Sequence, residues 1–214
     1  MQDSVILLHG LARTKRSMKK IAIHLDNRGY KVLNIGYPST RFRIEELSER
    51  TITPALNMIL EKSLGKIHFV THSMGGILLR YFLNHHTISR LGRIVMLSPP
   101  NNGSEIVNKL GHLWLFKIIN GPAGNQLGTD EDCLPTTLKS IQSELGIITG
   151  NKALDPFLSR IIPGENDGKV SVKSAKLKGM KDFLIVPHSH SFIMQSSLVC
   201  EQISYFLQKG YFKK

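Results

Sequence analysis

Short apolar, β-branched runs alternate along the chain with longer amphipathic stretches. The runs occupy residues 5–8, 31–35, 67–70, 94–97, 146–149 and 183–186. Most are nearly continuous in apolar residues, the pattern of parallel strands covered on both faces, because a sheet with one wet face would alternate. Helical periodicity fills the intervals at 17–27, 44–64, 75–85, 104–119, 137–145 and 196–208. This order predicts one α/β domain in three layers, with about six mostly parallel strands, helices on both faces and right-handed crossovers. Pro54 is expected to kink or restart the second helix, since it removes a backbone donor and clashes with the preceding turn. Residues 99–146 are too long for a simple crossover and carry Gly103, Gly111, Gly121, Gly124 and Gly128. They are read as an insertion after the fourth strand and a candidate lid.

A chain of 214 residues can bury a core without disulfides or a metal. Cys133 and Cys200 are its only cysteines and neither sits in a Cys-x-x-Cys spacing, which excludes a disulfide scaffold and the usual zinc frameworks. No apolar run reaches the roughly 18 residues of a membrane span. The first apolar run starts at Val5 and passes straight into His9-Gly10 with no basic region ahead of it, unlike an export signal, so the expected location is cytoplasmic. Lys and Arg number 28 against 16 Asp and Glu, a formal net charge of +12. That excess admits nucleic acid, an anionic membrane surface or an acidic substrate as partner. Nucleic acid is the weakest of these, because the basic residues form no recognisable binding motif with aromatics.

The candidate chemistry begins at Ile67-His-Phe-Val-Thr-His-Ser73-Met-Gly-Gly76, a predicted strand leading through a tight turn into a helix. A nucleophile elbow needs this context. The turn strains the serine backbone, and residues two positions either side must be small for strand and helix to pass each other. Gly75 meets that need, whereas Thr71 stands where glycine is usual. The competing role for Ser73 is a plain helix cap.

With these residues the sequence resembles the α/β-hydrolase superfamily, and within it the small lipase and esterase branch related to inositol-deacylase-like proteins. The resemblance runs over nearly the whole chain, from His9-Gly10 to the last helix. It implies that Leu8-His9-Gly10-Leu11 ends the first core strand and that an oxyanion hole forms from the backbone N–H groups of Leu11 and Met74. A turn with a surface histidine is the alternative for His9-Gly10.

In that superfamily the chain order is Ser, acid, His. Asp167, in Asp167-Gly-Lys-Val170, matches the way the family presents its acid, with Asp155 and Glu165 as the other candidates. Asp-Gly is also a turn signal. His188 and His190 are the histidines downstream of Asp167, and the resemblance points to His190, which is followed by a small residue and an apolar run. A His-x-His metal site is the weaker reading, since no cysteine or carboxylate ligand is near in sequence. His72 is expected to pack under the elbow.

The resemblance therefore implies a carboxylic ester hydrolase, with Ser73, Asp167 and His190 catalytic and no metal or cofactor. Thioesterase or acyltransferase chemistry on the same residues is the near alternative, and a non-catalytic binding protein of the same fold the distant one. The second half of 104–119 is apolar almost all round, with Leu113, Trp114, Leu115, Phe116, Ile118 and Ile119. It is either a buried helix or a lid over Ser73, and a lid favours a lipid or long-chain ester. Arg13, Lys15 and Arg16 follow the first strand, Arg41 and Arg43 the second, and Lys169 and Lys173 flank Asp167. They are expected to form a basic rim able to meet an anionic headgroup or membrane surface.

Overall fold

Each apolar run forms a strand: β1 is Ser4–Leu8, β2 Lys31–Ile35, β3 Ile67–His72, β4 Leu91–Leu97, β5 Leu145–Gly150 and β6 Asp182–Val186. The computed structural model describes residues 2–61, 63–154 and 156–214. All five strand pairings are parallel, in the order β2-β1-β3-β4-β5-β6. The helices are α1 Lys19–Asp26, α2 Ile44–Leu60, α3 Met74–His85, α4 Glu105–Leu110, α5 Trp114–Asn125, α6 Leu134–Thr137, α7 Pro156–Ile161, α8 Val172–Ala175 and α9 Ser197–Lys209.

Alternate strand residues serve two cores, as the pleat requires. Ile6, Leu8, Phe69, Ile94, Met96 and Ile147 join Leu47 and Ile52 of α2 and Ile77 and Leu78 of α3. Val5, Leu7, Val70, Val95, Leu97 and Ile148 join Ile21 and Leu25 of α1 and Val199, Ile203 and Phe206 of α9. The edge strands β2 and β6 are only partly buried, which is why polar residues are tolerated in them.

Chain order reverses between β1 and β3. From β1 the chain moves outward to β2, then returns past β1 to β3 and continues the other way. At such a switch point the loops leaving neighbouring carboxyl ends diverge and open a crevice. Leu8 lies in register with Thr71, so His9-Gly10-Leu11 and Ser73 leave the sheet side by side.

Several predicted elements differ in extent. Pro54 neither ends nor restarts α2. It sits on the exposed face, where water can serve the carbonyl its missing N–H abandons, and the helix runs through to Leu60 rather than residue 64. The predicted helix 104–119 is two helices. Gly111 closes α4 by donating to the Val107 carbonyl at 2.7 Å, and Leu113 turns extended before α5 starts. Gly121 then breaks α5 at φ 64°, because a Cβ there would lie 1.9 Å from the Thr40 carbonyl in the loop after β2.

The helix expected over 137–145 is absent beyond Thr137, the last residue of α6. After α6 the chain turns extended at Leu138. Side chains of α3 capture backbone groups a helix would use, with Arg80 donating to the Leu138 carbonyl at 2.6 Å and Asn84 accepting from the Lys139 N–H at 2.9 Å. Arg80 is buried, its guanidinium pKa lowered to about 10 by desolvation, and it also donates to the Asn101 carbonyl at 2.8 Å. Both ends of the segment between β4 and β5 are thereby tied to α3. Cys133 and Cys200 are unbonded thiols.

Candidate active site

Between β3 and α3 the chain turns at Ser73 with φ 52° and ψ −125°. A non-glycine residue in such a region costs about 1–3 kcal/mol, so its surroundings must impose it. The Ser73 N–H donates to the Leu97 carbonyl at 2.8 Å, and the Ser73 carbonyl accepts from the Gly76 N–H at 2.9 Å. A Cβ on Gly75 would lie 2.7 Å from the Leu8 carbonyl oxygen and 2.8 Å from that of His9, so only glycine fits. Thr71, the departure from the usual small residue, is fully buried. Gly76 accommodates it: a Cβ there would already stand 3.2 Å from Thr71 Oγ1. Ser73 holds the N-cap position of α3, yet its side chain makes no cap hydrogen bond.

The hydroxyl faces a histidine instead. Ser73 Oγ lies 3.0 Å from His190 Nε2, and His190 Nδ1 lies 2.8 Å from Asp167 Oδ2. A carboxylate only accepts, which assigns the ring proton to Nδ1 and leaves the Nε2 lone pair toward the serine hydroxyl. The other carboxylate oxygen of Asp167 accepts from the N–H groups of Lys169 at 3.0 Å and Val170 at 2.9 Å. Gly168 makes this tight turn at φ 93°, so the Asp-Gly turn and the presentation of Asp167 are one structure. The His190 N–H closes the loop pair by donating to the Asp167 carbonyl at 2.9 Å.

Burial by itself would raise the Asp167 pKa, but the His190 charge and hydrogen bond, with help from Ser98 and the Val170 amide, outweigh it and hold the carboxyl below its ordinary value. The other candidates stand apart. Glu165 is exposed and accepts from Asn151 at 3.1 Å, no described contact joins the His188 side chain to Ser73 or Asp167, and Asp155 lies outside the described residues.

His9 is fully buried, not the surface histidine of a turn. Its ring stacks on Tyr37 at 4.0 Å between centroids, Nε2 accepts from the Tyr37 N–H at 3.3 Å, and Nδ1–H donates to the Gly10 carbonyl at 2.8 Å. The Tyr37 hydroxyl donates to the His9 carbonyl. These bonds fix the loop that carries Leu11. Among the described residues neither the Leu11 nor the Met74 N–H has a recorded acceptor, and Met74, as the first residue of α3, has no intrahelical one.

His72 is buried beneath the turn. Its Nε2–H donates to the His190 carbonyl at 3.0 Å, while Nδ1 has no partner among the described residues. Sequence reading had not linked His72 or Ser98 to His190 and Asp167. Ser98 follows β4 with φ 45°, and that backbone strain has no sequence signature.

Desolvation lowers the pKa of His9, His68 and His72, well below the ordinary value for His72. The unfolded chain therefore binds more protons than the folded one between about pH 6.5 and the lower folded values. Stability is complete above that window and is lost as pH falls through it, by up to about 1.4 kcal/mol per pH unit for each histidine. The depressed Asp167 contributes above the unfolded carboxylate pKa and loses its contribution only as pH falls through its lower folded value. The urea midpoint should consequently drop between pH 7.5 and 5.5, and His68→Gln, remote from Ser73, should flatten that drop. An unchanged midpoint in the parent protein would contradict neutral burial.

A cavity of about 350 Å³ opens over Ser73 and His190. Ile106, Val107 and Leu110 of α4 form an apolar wall, Ile119 and Leu127 extend it, and Arg13 and Lys169 also line it. Four apolar residues just before and within the first half of α5 are not core. Leu113, Trp114, Ile118 and Ile119 are exposed, Trp114 by 74%, which removes the buried-helix reading for them; the side chains of Leu115 and Phe116 lie outside those described. The expected basic rim divides. Arg13 and Lys169 reach the cavity, whereas Arg43 pairs with Glu45 and the Lys15 stem packs beside Gly36.

No protein-family model matches the sequence, and a search of curated proteins finds no match. Solved structures do match. The mature form of a Bacillus licheniformis lipase, BlEst2, superposes with a TM-score of 0.73 at 18% identity, over 98% of this chain and 92% of that one. Its propeptide form is matched over 51% of its length, so the chain spans about half of that longer form. Phospholipase PlaB from Legionella pneumophila gives 0.63 at 18% identity, over 82% of this chain and 46% of that one. A metagenomic carboxyl esterase, MGS0156, gives 0.68 at 17% identity, over 88% and 64%. With its six-stranded parallel sheet and flanking helices, the chain has the α/β-hydrolase fold of these structures.

Proposed function

We propose that the protein is a serine hydrolase of carboxylic esters, working through an acyl-enzyme on Ser73. The observation that carries this reading is the unbroken chain of hydrogen bonds from Ser73 through His190 to Asp167 beneath an apolar cavity. His190 Nε2 takes the hydroxyl proton as Ser73 attacks the ester carbonyl, then returns it to the leaving alcohol. Asp167 keeps the proton on Nδ1 and stabilises the imidazolium. The N–H groups of Leu11 and Met74 receive the oxyanion. Water repeats the sequence to release the acid.

Two further observations support an ester with an apolar acyl group. The similar solved structures carry the names lipase, phospholipase and carboxyl esterase. The wall formed by α4 and Ile119 offers aliphatic contact beside Ser73, with α4 and α5 acting as a lid over the acyl chain. A thioester, or an alcohol replacing water in the second step, would use the same groups.

A p-nitrophenyl ester series from acetate to palmitate tests the reading together with fluorophosphonate labelling. Labelling of the intact protein and rates that rise from acetate toward medium chains are expected. Absence of labelling would leave a non-catalytic binding protein of this fold, and acetate as the best substrate would remove the acyl role of α4.

A further inference from the structure

Among the described residues, a minority of the cations of this protein are held by acidic side chains. Arg28 bonds Glu201, Arg50 bonds Glu46, and Arg93 and Lys181 share Glu144. The cavity over Ser73 brings two other cations together. Arg13 and Lys169 both line it, and among the described residues neither side chain lies within salt-bridge distance of an acid or has a hydrogen-bond acceptor, although the Asp167 charge acts on Lys169 from further away. Of the acidic groups nearby, Asp167 bonds His190, Glu105 of α4 accepts from the Ser171 hydroxyl at 2.8 Å through Oε1, its Oε2 having no partner among the described residues, and Glu165 accepts from Asn151.

Neither cation sits on a wandering segment. The Arg13 N–H donates to the Gly10 carbonyl at 3.3 Å in the loop that carries Leu11, and the Lys169 N–H donates to Asp167 Oδ1 at 3.0 Å. The backbone from which both cations extend is thus fixed next to the reacting groups. Two like charges facing one apolar-walled cavity repel, and an anion between them reverses the sign of that interaction. The Lys169 pKa is lowered, by desolvation first and by Arg13 second, although the residue as a whole is exposed at the cavity mouth.

We propose that Arg13 and Lys169 form an anion subsite at the mouth of the Ser73 cavity, which selects esters bearing a phosphate or carboxylate group close to the scissile bond. The acyl chain runs along α4 while the anionic end of the alcohol sits between the two cations. The substrate class is thereby narrowed from neutral esters to anionic amphiphiles such as acylated glycerol phosphates. The identity of the bond cleaved rests on the serine-hydrolase reading above, whereas binding of the anion can be measured without turnover.

Three uncleavable monomeric ethers separate the two questions: 1-hexylglycerol, its 3-phosphate, and an analogue with a carboxylate replacing the phosphate. Calorimetry on the intact protein at low salt should show the phosphate ether binding on the order of tenfold or more tighter than the neutral one. Arg13→Gln and Lys169→Gln should each shrink that ratio and the double variant should remove it, while Arg13→Lys, which keeps the charge, should retain most of it. The carboxylate ether tells whether any anion suffices or phosphate geometry is required. Equal affinity for the neutral and both anionic ethers, or a preference that survives in the double variant, overturns the subsite. Turnover of 1-hexanoylglycerol and its 3-phosphate is measured alongside. Selective binding without turnover of either ester keeps the subsite and removes the hydrolase reading, and turnover with no anion preference does the reverse.

Discussion

Ser73→Ala should lower kcat for ester hydrolysis by on the order of 10⁴-fold or more, and His190→Ala should cost about as much, with little further loss in the double variant. In the proposed mechanism the 3.0 Å hydrogen bond between the two side chains makes them act together, so removing either would remove the activated nucleophile. Any residual activity would come from the oxyanion donors and the cavity. Ser73→Gly provides a second reading with the opposite sign for stability. At φ 52° and ψ −125° serine carries backbone strain that glycine does not. That variant should be inactive yet more stable, by about 1 kcal/mol after the entropy glycine adds to the unfolded chain. Urea denaturation of parent, Ser73→Ala and Ser73→Gly checks it. A Ser73→Gly protein less stable than the parent would mean that the turn does not strain its serine, and a fully active Ser73→Ala would remove the nucleophile.

Asp167→Asn should reduce kcat by about 10⁴-fold near neutral pH while leaving the fold intact, and the hydrogen bonds of the loop give the reason. Oδ1 accepts from two backbone N–H groups, those of Lys169 and Val170. An asparagine must therefore keep its carbonyl oxygen in that place and turn its NH₂ toward His190. Nδ1 then has to accept, the ring proton moves to Nε2, and the nitrogen facing Ser73 can no longer take the hydroxyl proton. Asp167→Ala removes the wrong donor as well as the right acceptor, so it should lose no more than Asp167→Asn. Rates of the two variants, with far-ultraviolet circular dichroism to confirm folding, decide the matter. Near-parental activity in Asp167→Asn would assign the acid role to another carboxylate.

Much of the fold could be read in the chain because the signals are local. Continuous β-branched runs at β1, β3, β4 and β5 reflect burial on both faces, and the polar residues admitted in β2 and β6 reflect the sheet edges. Local preference was overruled where groups distant in sequence intervened. Arg80 and Asn84 hold the chain after Leu138 extended where helical periodicity continued, and the Thr40 carbonyl makes room only for a glycine at the break in α5. The apolar composition of α5 could not say whether its residues were covered, and exposure of Trp114, Ile118 and Ile119 is a property of packing alone.

By itself the sequence determined the alternation of strand and helix, the parallel sheet that alternation requires, and the strand–turn–helix context of Ser73 with Gly75. These depend on residues a few positions apart, whose spacing matches the periods of strand and helix. Only the tertiary structure decided which acid and which histidine meet that serine. His190 is 117 residues from Ser73 and 23 from Asp167, and the bonds between them exist because the sheet order brings the loops after β3, β5 and β6 to one edge. The same convergence separated the basic residues. Lys15 and Arg13 are neighbours in sequence, yet Arg13 enters the cavity with the distant Lys169, because side-chain direction at a loop follows backbone turns that composition does not encode.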